Sequence, residues 1–421
     1  MLTREESELL TRVGLGTPMG DMMRQYWIPA AKSSELVADG APVRLVLLGE
    51  KLIAFRDSSG RVGVMDHRCP HRCASLFYGR NEENGLRCVY HGWKYDVDGN
   101  CLDQANVPAH QDFKDKVKAR AYPARERNGL VWTYMGPRKE PPPLPAIEAA
   151  LLPVGMTDIT FVQRECNWLQ AIEGEIDTSH FGFLHMGHLD HRTLTPDNPH
   201  YYTVFSRTPE YHCTETDWGT MYAAYRDADA DHVHYRWAQY LFPFWTEIPQ
   251  GDFQQHFNAR AWVPMDDTHT MFIMMASDIF ELPQVRPNTT DWYGRFRLVP
   301  SRDNDHLIDR DAQRRMLSYT GIEGVHAQDQ AITESMGPIV DHSFETLAPS
   351  DRMIAQTRRR ILRAVRAFKD EGVTPPGVDD PAIFMGARSG QFVAPRNAEW
   401  QRIYRETLAA SRRVTSLVPA E

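Results

Sequence analysis

Two short phrases, Cys69-Pro-His71 and Cys88-Val-Tyr-His91, repeat a cysteine followed closely by a histidine in the pattern C-x-H-x16-C-x2-H. Four such donors on two compact loops form a metal-binding pattern, and a bound metal fixes both loops in space before other packing is considered. Donor count alone leaves zinc and iron–sulfur ligation both open. Zinc fingers, however, pair cysteine with cysteine and histidine with histidine, whereas each loop here carries one of each.

Mixed loops suit a two-iron cluster in which both cysteines hold one iron and both histidines the other. The stretch CPHRCASL…CVYHGWKYDVDG, with Pro70 inside the first pair and Gly92-Trp93 after the second, resembles the Rieske [2Fe–2S] motif. That resemblance makes Cys69, His71, Cys88 and His91 the expected cluster ligands. Cys73 reads as a small packing residue because four positions are already filled, and Cys101, Cys166 and Cys213 read as buried thiols. Six cysteines in 421 residues are few for a disulfide framework and suit a reducing compartment.

The chain is long enough for two or three domains. A net charge of −9 disfavours nucleic-acid and anionic-membrane surfaces. MLTREESELL has no secretory pattern and no apolar run approaches a membrane span, so a cytoplasmic location is expected. Thr3 and Glu6 form a capping-box pattern, predicting a helical segment over 1–35. The runs VRLVLL, KLIAF and RVGVM predict a β-rich domain over 36–140, broken at Asp57–Gly60. The proline-rich segment 136–145 marks a boundary. Beyond it, 141–421 is expected to form a domain of long strands followed by a helix with Ser350 as N-cap. Its stripe is Met353, Ile354, Ile361, Val365 and Phe368, and its arginine-rich face reads as solvated.

A Rieske cluster carries one electron and needs an acceptor. Within NWLQAIEGEIDTSHFGFLHMGH, the residues Glu173, Asp177, His180 and His185 follow E-x3-D-x2-H-x4-H, which resembles the mononuclear-iron motif of Rieske oxygenases. Two imidazoles and one carboxylate on one face of Fe(II) leave positions for O2 and substrate. On an ideal helix Asp177 and His180 share a face while His180 and His185 diverge, so the helix must end or distort between the histidines, with Gly182 as the expected place. His188 and His191 are rival ligands. The resemblance places the carboxylate ligand at Asp329, with Asp341 as runner-up. It makes Asp177 a connector between His91 of one subunit and His180 of the next, which implies a head-to-tail homotrimer or a dimer of trimers.

From TREESELLTRVGLGTPMGDMMRQYW to the last helix, the chain resembles the phthalate 4,5-dioxygenase and aromatic O-demethylase group of Rieske oxygenase α subunits. The implied fold is α+β: a β-rich Rieske domain, then a helix-grip (START-like) catalytic domain with an antiparallel sheet around a long C-terminal helix. The implied enzyme is the terminal component of a multi-component system. It uses O2, a [2Fe–2S] cluster, mononuclear Fe(II) and electrons from NAD(P)H through a separate reductase or ferredoxin. Its reaction on an aromatic carboxylate is O-demethylation, as with 5,5′-dehydrodivanillate, or ring hydroxylation, as with phthalate. Arg207 and Arg236 are the candidate carboxylate anchors. The alternative is a Rieske electron-transfer protein whose second domain binds a ligand, and a zinc-stabilised regulatory protein is a third reading.

Overall fold

The computed structural model describes residues 2–187, 194–195, 198, 200–279 and 281–414. The capping box forms as its sequence predicts. The Glu6 amide donates to Thr3 Oγ1 (3.1 Å) and the Thr3 amide to Glu6 Oε2 (3.1 Å), opening the helix Arg4–Thr11. The segment 1–35 is only partly helical, however. After a second helix, Pro18–Met23, Trp27–Lys32 is a strand antiparallel to Leu130–Tyr134. Trp27 and Ile28 favour an extended chain. Pro29, which cannot donate to a ladder, is tolerated because this strand lies at a sheet edge, where the register shifts between Pro29 and Ala31.

Two four-stranded antiparallel sheets follow. One orders Val43–Leu47, Glu50–Arg56, Val62–Asp66 and Ala121–Tyr122, the strands expected from VRLVLL, KLIAF and RVGVM. The other orders Arg80–Glu82, Gly85–Arg87, Trp93–Tyr95 and Cys101–Gln104. Asp57 closes its turn by accepting from the amides of Ser59 (3.0 Å) and Arg61 (2.9 Å). A small core of Phe55, Met65, Leu86, Trp93 and Tyr95 lies under the two Cys–His loops. Residues 136–145 form neither helix nor strand, and Trp27 Nε1 donates to Pro142 O (2.6 Å) to pin them down.

An eight-stranded antiparallel sheet occupies the rest. Its order is Asp158–Arg164, Thr270–Ala276, Asn258–Pro264, Trp245–Glu247, His232–Leu241, Gly219–Asp227 and Glu210–Thr216, with Gly390–Pro395 also paired to His232–Leu241. The register gives it two unlike faces. Tyr211, Tyr222, Arg226, His234, Arg236 and Gln391 share one. Met221, Ala223, Val233, Tyr235 and Trp237 share the other, packed with Tyr404 of the helix Trp400–Ala410.

The helix Arg352–Arg366 packs against Glu210–Thr216 and Gly219–Asp227, where the Thr357 and Thr220 hydroxyls meet at 2.7 Å. Met353, Ile361 and Val365 are buried as predicted, whereas Ile354 is half-buried and Phe368, also half-buried, lies in the π-helical turn Ala367–Glu371 beyond this helix. The architecture is thus α+β with a long helix against an antiparallel sheet. Ser350 is not the N-cap: it lies in a 3-10 turn, Pro349–Asp351, and Asp351 occupies the position before the helix. The arginine-rich face is also not simply solvated. Arg358 is buried, donating to Glu173 Oε2 (2.7 Å) on the helix Trp168–Ile176 and to Glu345 Oε2 (2.9 Å). Among the described residues, no helix is long and apolar enough to cross a membrane.

Burial pushes the Glu173 carboxyl above its ordinary range, and Arg358 opposes that rise. Arg358→Met removes the opposition, leaving two carboxylates without their cation, and is expected to destabilise the fold by about 3–5 kcal/mol. A carboxyl raised in the folded state binds more protons folded than unfolded, so stability falls as pH rises through its folded value. Chemical denaturation should therefore show a larger loss at mildly alkaline than at mildly acidic pH. An equal loss at both would contradict this account.

Candidate functional site

The two Cys–His loops are built alike. The Cys69 amide donates to Ala74 O (2.8 Å) and the Cys73 amide to Cys69 O (2.9 Å); the Cys88 amide donates to Trp93 O (2.8 Å) and the Gly92 amide to Cys88 O (2.9 Å). The fifth residue of each loop is left-handed, Cys73 at φ 60° and Gly92 at φ 78°. Cys73 is therefore exposed on a turn rather than packed as expected. Cys101 and Cys166 are buried and Cys213 is half-buried.

Folding sorts the four donors by kind. Cys69 and Cys88 are 1% and 3% exposed. Burial pushes the Cys69 thiol up, the Tyr95 hydroxyl at 3.3 Å opposes this, and the adjacent Cys88 thiol adds to it. The His71 and His91 rings lie 4.5 Å apart on the more open side. His71 stacks on Trp93 (4.4 Å, 6°), whose Nε1 donates to Asn106 Oδ1 (2.8 Å). His91 Nδ1 is buried without a hydrogen-bond partner among the described residues. Among the described residues, these four donors are not gathered as tightly as a single tetrahedral ion requires. Paired thiols, paired imidazoles and an orphaned ring nitrogen fit a two-iron cluster.

The second donor set does converge. The helix Trp168–Ile176 ends at Asp177, whose Oδ1 accepts from the Ser179 amide (2.7 Å) and hydroxyl (2.7 Å). A new short helix, Phe181–Leu184, then begins, with His180 before it and His185 after it. The break thus lies at Asp177–Ser179, not at Gly182, which is helical and passes close to the Arg207 side chain. Asp177 and His180 consequently do not share one helix; Asp177 Oδ2 stands 3.9 Å from His180 Nδ1. His180 Nε2 and His185 Nε2 are 3.2 Å apart, and Asp329 Oδ1, from the helix Val325–Ser335, lies 3.7 Å and 3.2 Å from them.

Burial would raise the Asp329 carboxyl, but His185 and His180 outweigh it and hold the group well below the usual carboxylate range. Two imidazoles and one carboxylate meeting in this way could hold a divalent ion on one face. Asp341 is exposed and accepts from Ser343, and Glu173 is committed to Arg358; neither joins this group. His188 and His191 lie outside the described residues.

A cavity of about 380 Å³ opens from this triad, walled by Phe181, Tyr222, Arg236, Ile248 and Met274. Arg236 is buried, with Nη1 donating to Thr203 Oγ1 (3.3 Å) and Nη2 to Pro249 O (3.4 Å), while its guanidinium lies 5.1 Å from the Phe181 ring. Its Nε and the Tyr222 hydroxyl have no hydrogen-bond partner among the described residues. Arg226, one alternation along the same sheet face, is also buried, with Nε donating to Ser206 O (2.6 Å). Burial, Arg236 and Arg226 together push His234 down to about 3. By contrast, Arg260 in the same cavity is paired with Glu175. Arg207 is exposed in the irregular segment after Tyr201–Phe205 rather than on a strand, and lines a neighbouring cavity of about 820 Å³ that shares Phe181 and His185.

Sequence reasoning did not find Gln328, whose Oε1 lies 2.7 Å from His185 Nδ1; no spacing rule marks it. Tyr95 and Trp93 were within reach, since strand alternation after His91 turns both toward one side.

The family "Rieske [2Fe-2S] domain" matches residues 26–119, and "LigXa C-terminal domain like" matches residues 133–417. The chain is 50% identical to the 3-chlorobenzoate-3,4-dioxygenase oxygenase subunit of Comamonas testosteroni, covering 97% of this chain and 99% of that one. It is 36% identical to the phthalate 4,5-dioxygenase oxygenase subunit of Pseudomonas putida (95% and 94%). It is 34% identical to the 5,5'-dehydrodivanillate O-demethylase oxygenase subunit of a Sphingobium species (91% and 85%). Among solved structures, dicamba monooxygenase bound to dicamba shares the fold at a TM-score of 0.57 and 17% identity, covering 82% of this chain and 98% of that one.

Hydrogen bonds to ligand sulfur raise the reduction potential of an iron–sulfur cluster. Tyr95→Phe removes the hydroxyl beside Cys69 and should lower the cluster potential in a redox titration followed by EPR, with the signal otherwise retained. An unchanged potential would separate Tyr95 from the cluster.

Proposed function

The chain belongs to the Rieske non-heme iron aromatic oxygenases as a terminal oxygenase subunit, and on that premise we propose that it oxidises a single-ring aromatic monocarboxylate of the benzoate class. Members of this family use a [2Fe–2S] cluster, a mononuclear iron and O2, with electrons delivered from NAD(P)H by a separate reductase. We assign the cluster to Cys69, His71, Cys88 and His91 and the mononuclear iron to His180, His185 and Asp329. The domain division proposed with this is 36–140 and 141–421, with Trp27–Lys32 of the segment 1–35 joining the first domain through its pairing with Leu130–Tyr134.

One observation carries the substrate class: Arg236 is a buried guanidinium in the wall of the triad cavity with no carboxylate partner among the described residues. Burying such a cation is unfavourable until an anion completes it. A substrate carboxylate supplies that charge and accepts from its donors, and the Tyr222 hydroxyl stands in the same wall. Arg260 is already neutralised by Glu175, which favours one carboxylate over two. The cavity is near the lower end of the roughly 300–1,000 Å³ typical of small-molecule pockets, which favours one ring. Likeness to the 3-chlorobenzoate-3,4-dioxygenase subunit supports the same class.

When bound, the iron supplies reductive activation of O2, with two electrons and two protons accompanying each O2 consumed. The chain's own residues do the rest. Arg236 fixes the carboxylate end of the ring, Phe181 packs beside that guanidinium, and the apolar wall at Ile248 and Met274 excludes water from the ring. Asp177 is the proposed electron bridge from His91 of a neighbouring subunit to His180 in a head-to-tail trimer. Its place beside His180, and the exposure of Val89 and Tyr90 next to His91, support that arrangement.

The test is a screen of ring-substituted benzoates, phthalate and methoxylated aromatic acids with a compatible reductase, following coupled NAD(P)H and O2 consumption. A diol from a benzoate is expected; formaldehyde from a methoxylated acid would instead mark O-demethylation. Metal analysis should give about three irons per chain, and two in active protein would leave only electron transfer. Arg236→Met should raise KM for the acid about 100-fold or more, the loss of a buried charge-assisted contact, with little effect on kcat. A KM unchanged by that substitution would refute the anchor. Asp177→Asn should keep both metal centres while turnover collapses, and near-normal turnover would sever the proposed bridge.

A further inference from the structure

The residue before Asp329 is Gln328, 3% exposed, on the same turn of the helix Val325–Ser335. Its amide bridges two groups. Nε2 donates to Ile322 O (2.8 Å), and Oε1 lies 2.7 Å from His185 Nδ1. The orientation is forced by chemistry, because a backbone carbonyl can only accept, so the amide nitrogen must face Ile322 and the amide oxygen must face His185. That oxygen can likewise only accept, so His185 Nδ1 carries the hydrogen and Nε2 presents its lone pair to the point shared with His180 and Asp329.

The rest of the segment braces this arrangement. Ile322 N donates to Thr320 Oγ1 (3.1 Å) and Gly321 N to Ser318 Oγ (3.1 Å). Tyr319 N donates to Met186 O (3.0 Å), the residue after His185. One loop therefore grips the histidine through its own backbone neighbour and, by way of Gln328, through its ring. Such outer hydrogen bonds commonly fix the orientation of a metal-bound imidazole.

We infer that Gln328 is a positioning residue that sets the tautomer and ring orientation of His185, and so the metal affinity of the triad. The inference rests on reading His180, His185 and Asp329 as the mononuclear iron site. Its consequence is that one helix supplies both a ligand, Asp329, and the group that orients another ligand.

The test uses the full chain with its cluster intact and the mononuclear site emptied by chelation. Co(II) is then titrated and its visible spectrum recorded. Gln328→Met, close in size but without the acceptor, should bind Co(II) about 10–100-fold more weakly, with an altered spectrum. Its cluster absorption should be unchanged, and its metal-free melting temperature should fall by only a few degrees, because Ile322 O and His185 Nδ1 lose a buried partner. Gln328→Glu, protonated toward Ile322 O and accepting from His185, should recover most of the affinity, and it also serves if the methionine variant does not fold. Co(II) binding by Gln328→Met with unchanged affinity and spectrum overturns the inference, as does a Gln328→Glu protein no better than Gln328→Met. Asp329→Ala is the separate control. Loss of Co(II) there upholds the triad whatever Gln328 does, and retention there would refute the triad itself.

Discussion

The ion pair between Glu173 and Arg358 is the contact on which the second site depends. Glu173 sits on the helix that ends at Asp177, and Arg358 on the long helix packed against the sheet. Their pairing, shared with Glu345, ties the first helix to the long one, and the first helix stops at Asp177, which accepts from Ser179. From that end the chain makes one turn of irregular backbone and one short helix, and this brings His180 and His185 to the same point. A continuous helix would have pointed the two rings apart. The third donor arrives from Asp329, far along the chain, on a helix that also contacts the Trp168–Ile176 helix. Site geometry is thus inherited from helix packing rather than from the local motif.

The eight-stranded sheet divides its two faces between stability and chemistry. One face is an aromatic core under the Trp400–Ala410 helix, with Trp237 stacked near Phe392 and Trp400. The other carries Arg226, Arg236, Tyr211 and Tyr222, with several polar atoms unpartnered among the described residues. Such a face opposes folding, since buried donors without acceptors are unfavourable. The aromatic face opposite supplies apolar burial that offsets it. Functional sites commonly sit where local rules are broken in this way.

What could be read from the sequence followed the range of the interactions involved. The Cys–His loops were legible because donors, turn residues and flanking strands all lie in one stretch. The capping box at Thr3 was legible for the same reason. Asp329 was reachable only through family resemblance, because nothing local marks it. Gln328 was invisible, since its role depends on a carbonyl and a ring brought together by folding. Trp27–Lys32 was hidden within a segment that begins as helix, and its partner strand lies beyond the cluster region. Ser350 has the side chain of an N-cap, but the 3-10 turn at Pro349 moves the helix start past it. Arg207 resembled a strand residue like Arg236; only the pairing pattern separates the exposed irregular segment from the buried face.

The two Cys–His loops repeat one backbone plan, with the same hydrogen bonds and the same left-handed fifth residue. Repetition of the plan puts both thiols on the inner side and both imidazoles on the outer side. A centre held in this way has a direction: it is insulated where sulfur meets the core of Phe55, Met65 and Tyr95, and open where nitrogen meets the surface near Tyr90. The imidazole edge of the proposed cluster would be the side nearest the surface. Two copies of a single turn would thereby orient the proposed cluster, with its imidazole edge turned toward any neighbour that accepts its electron.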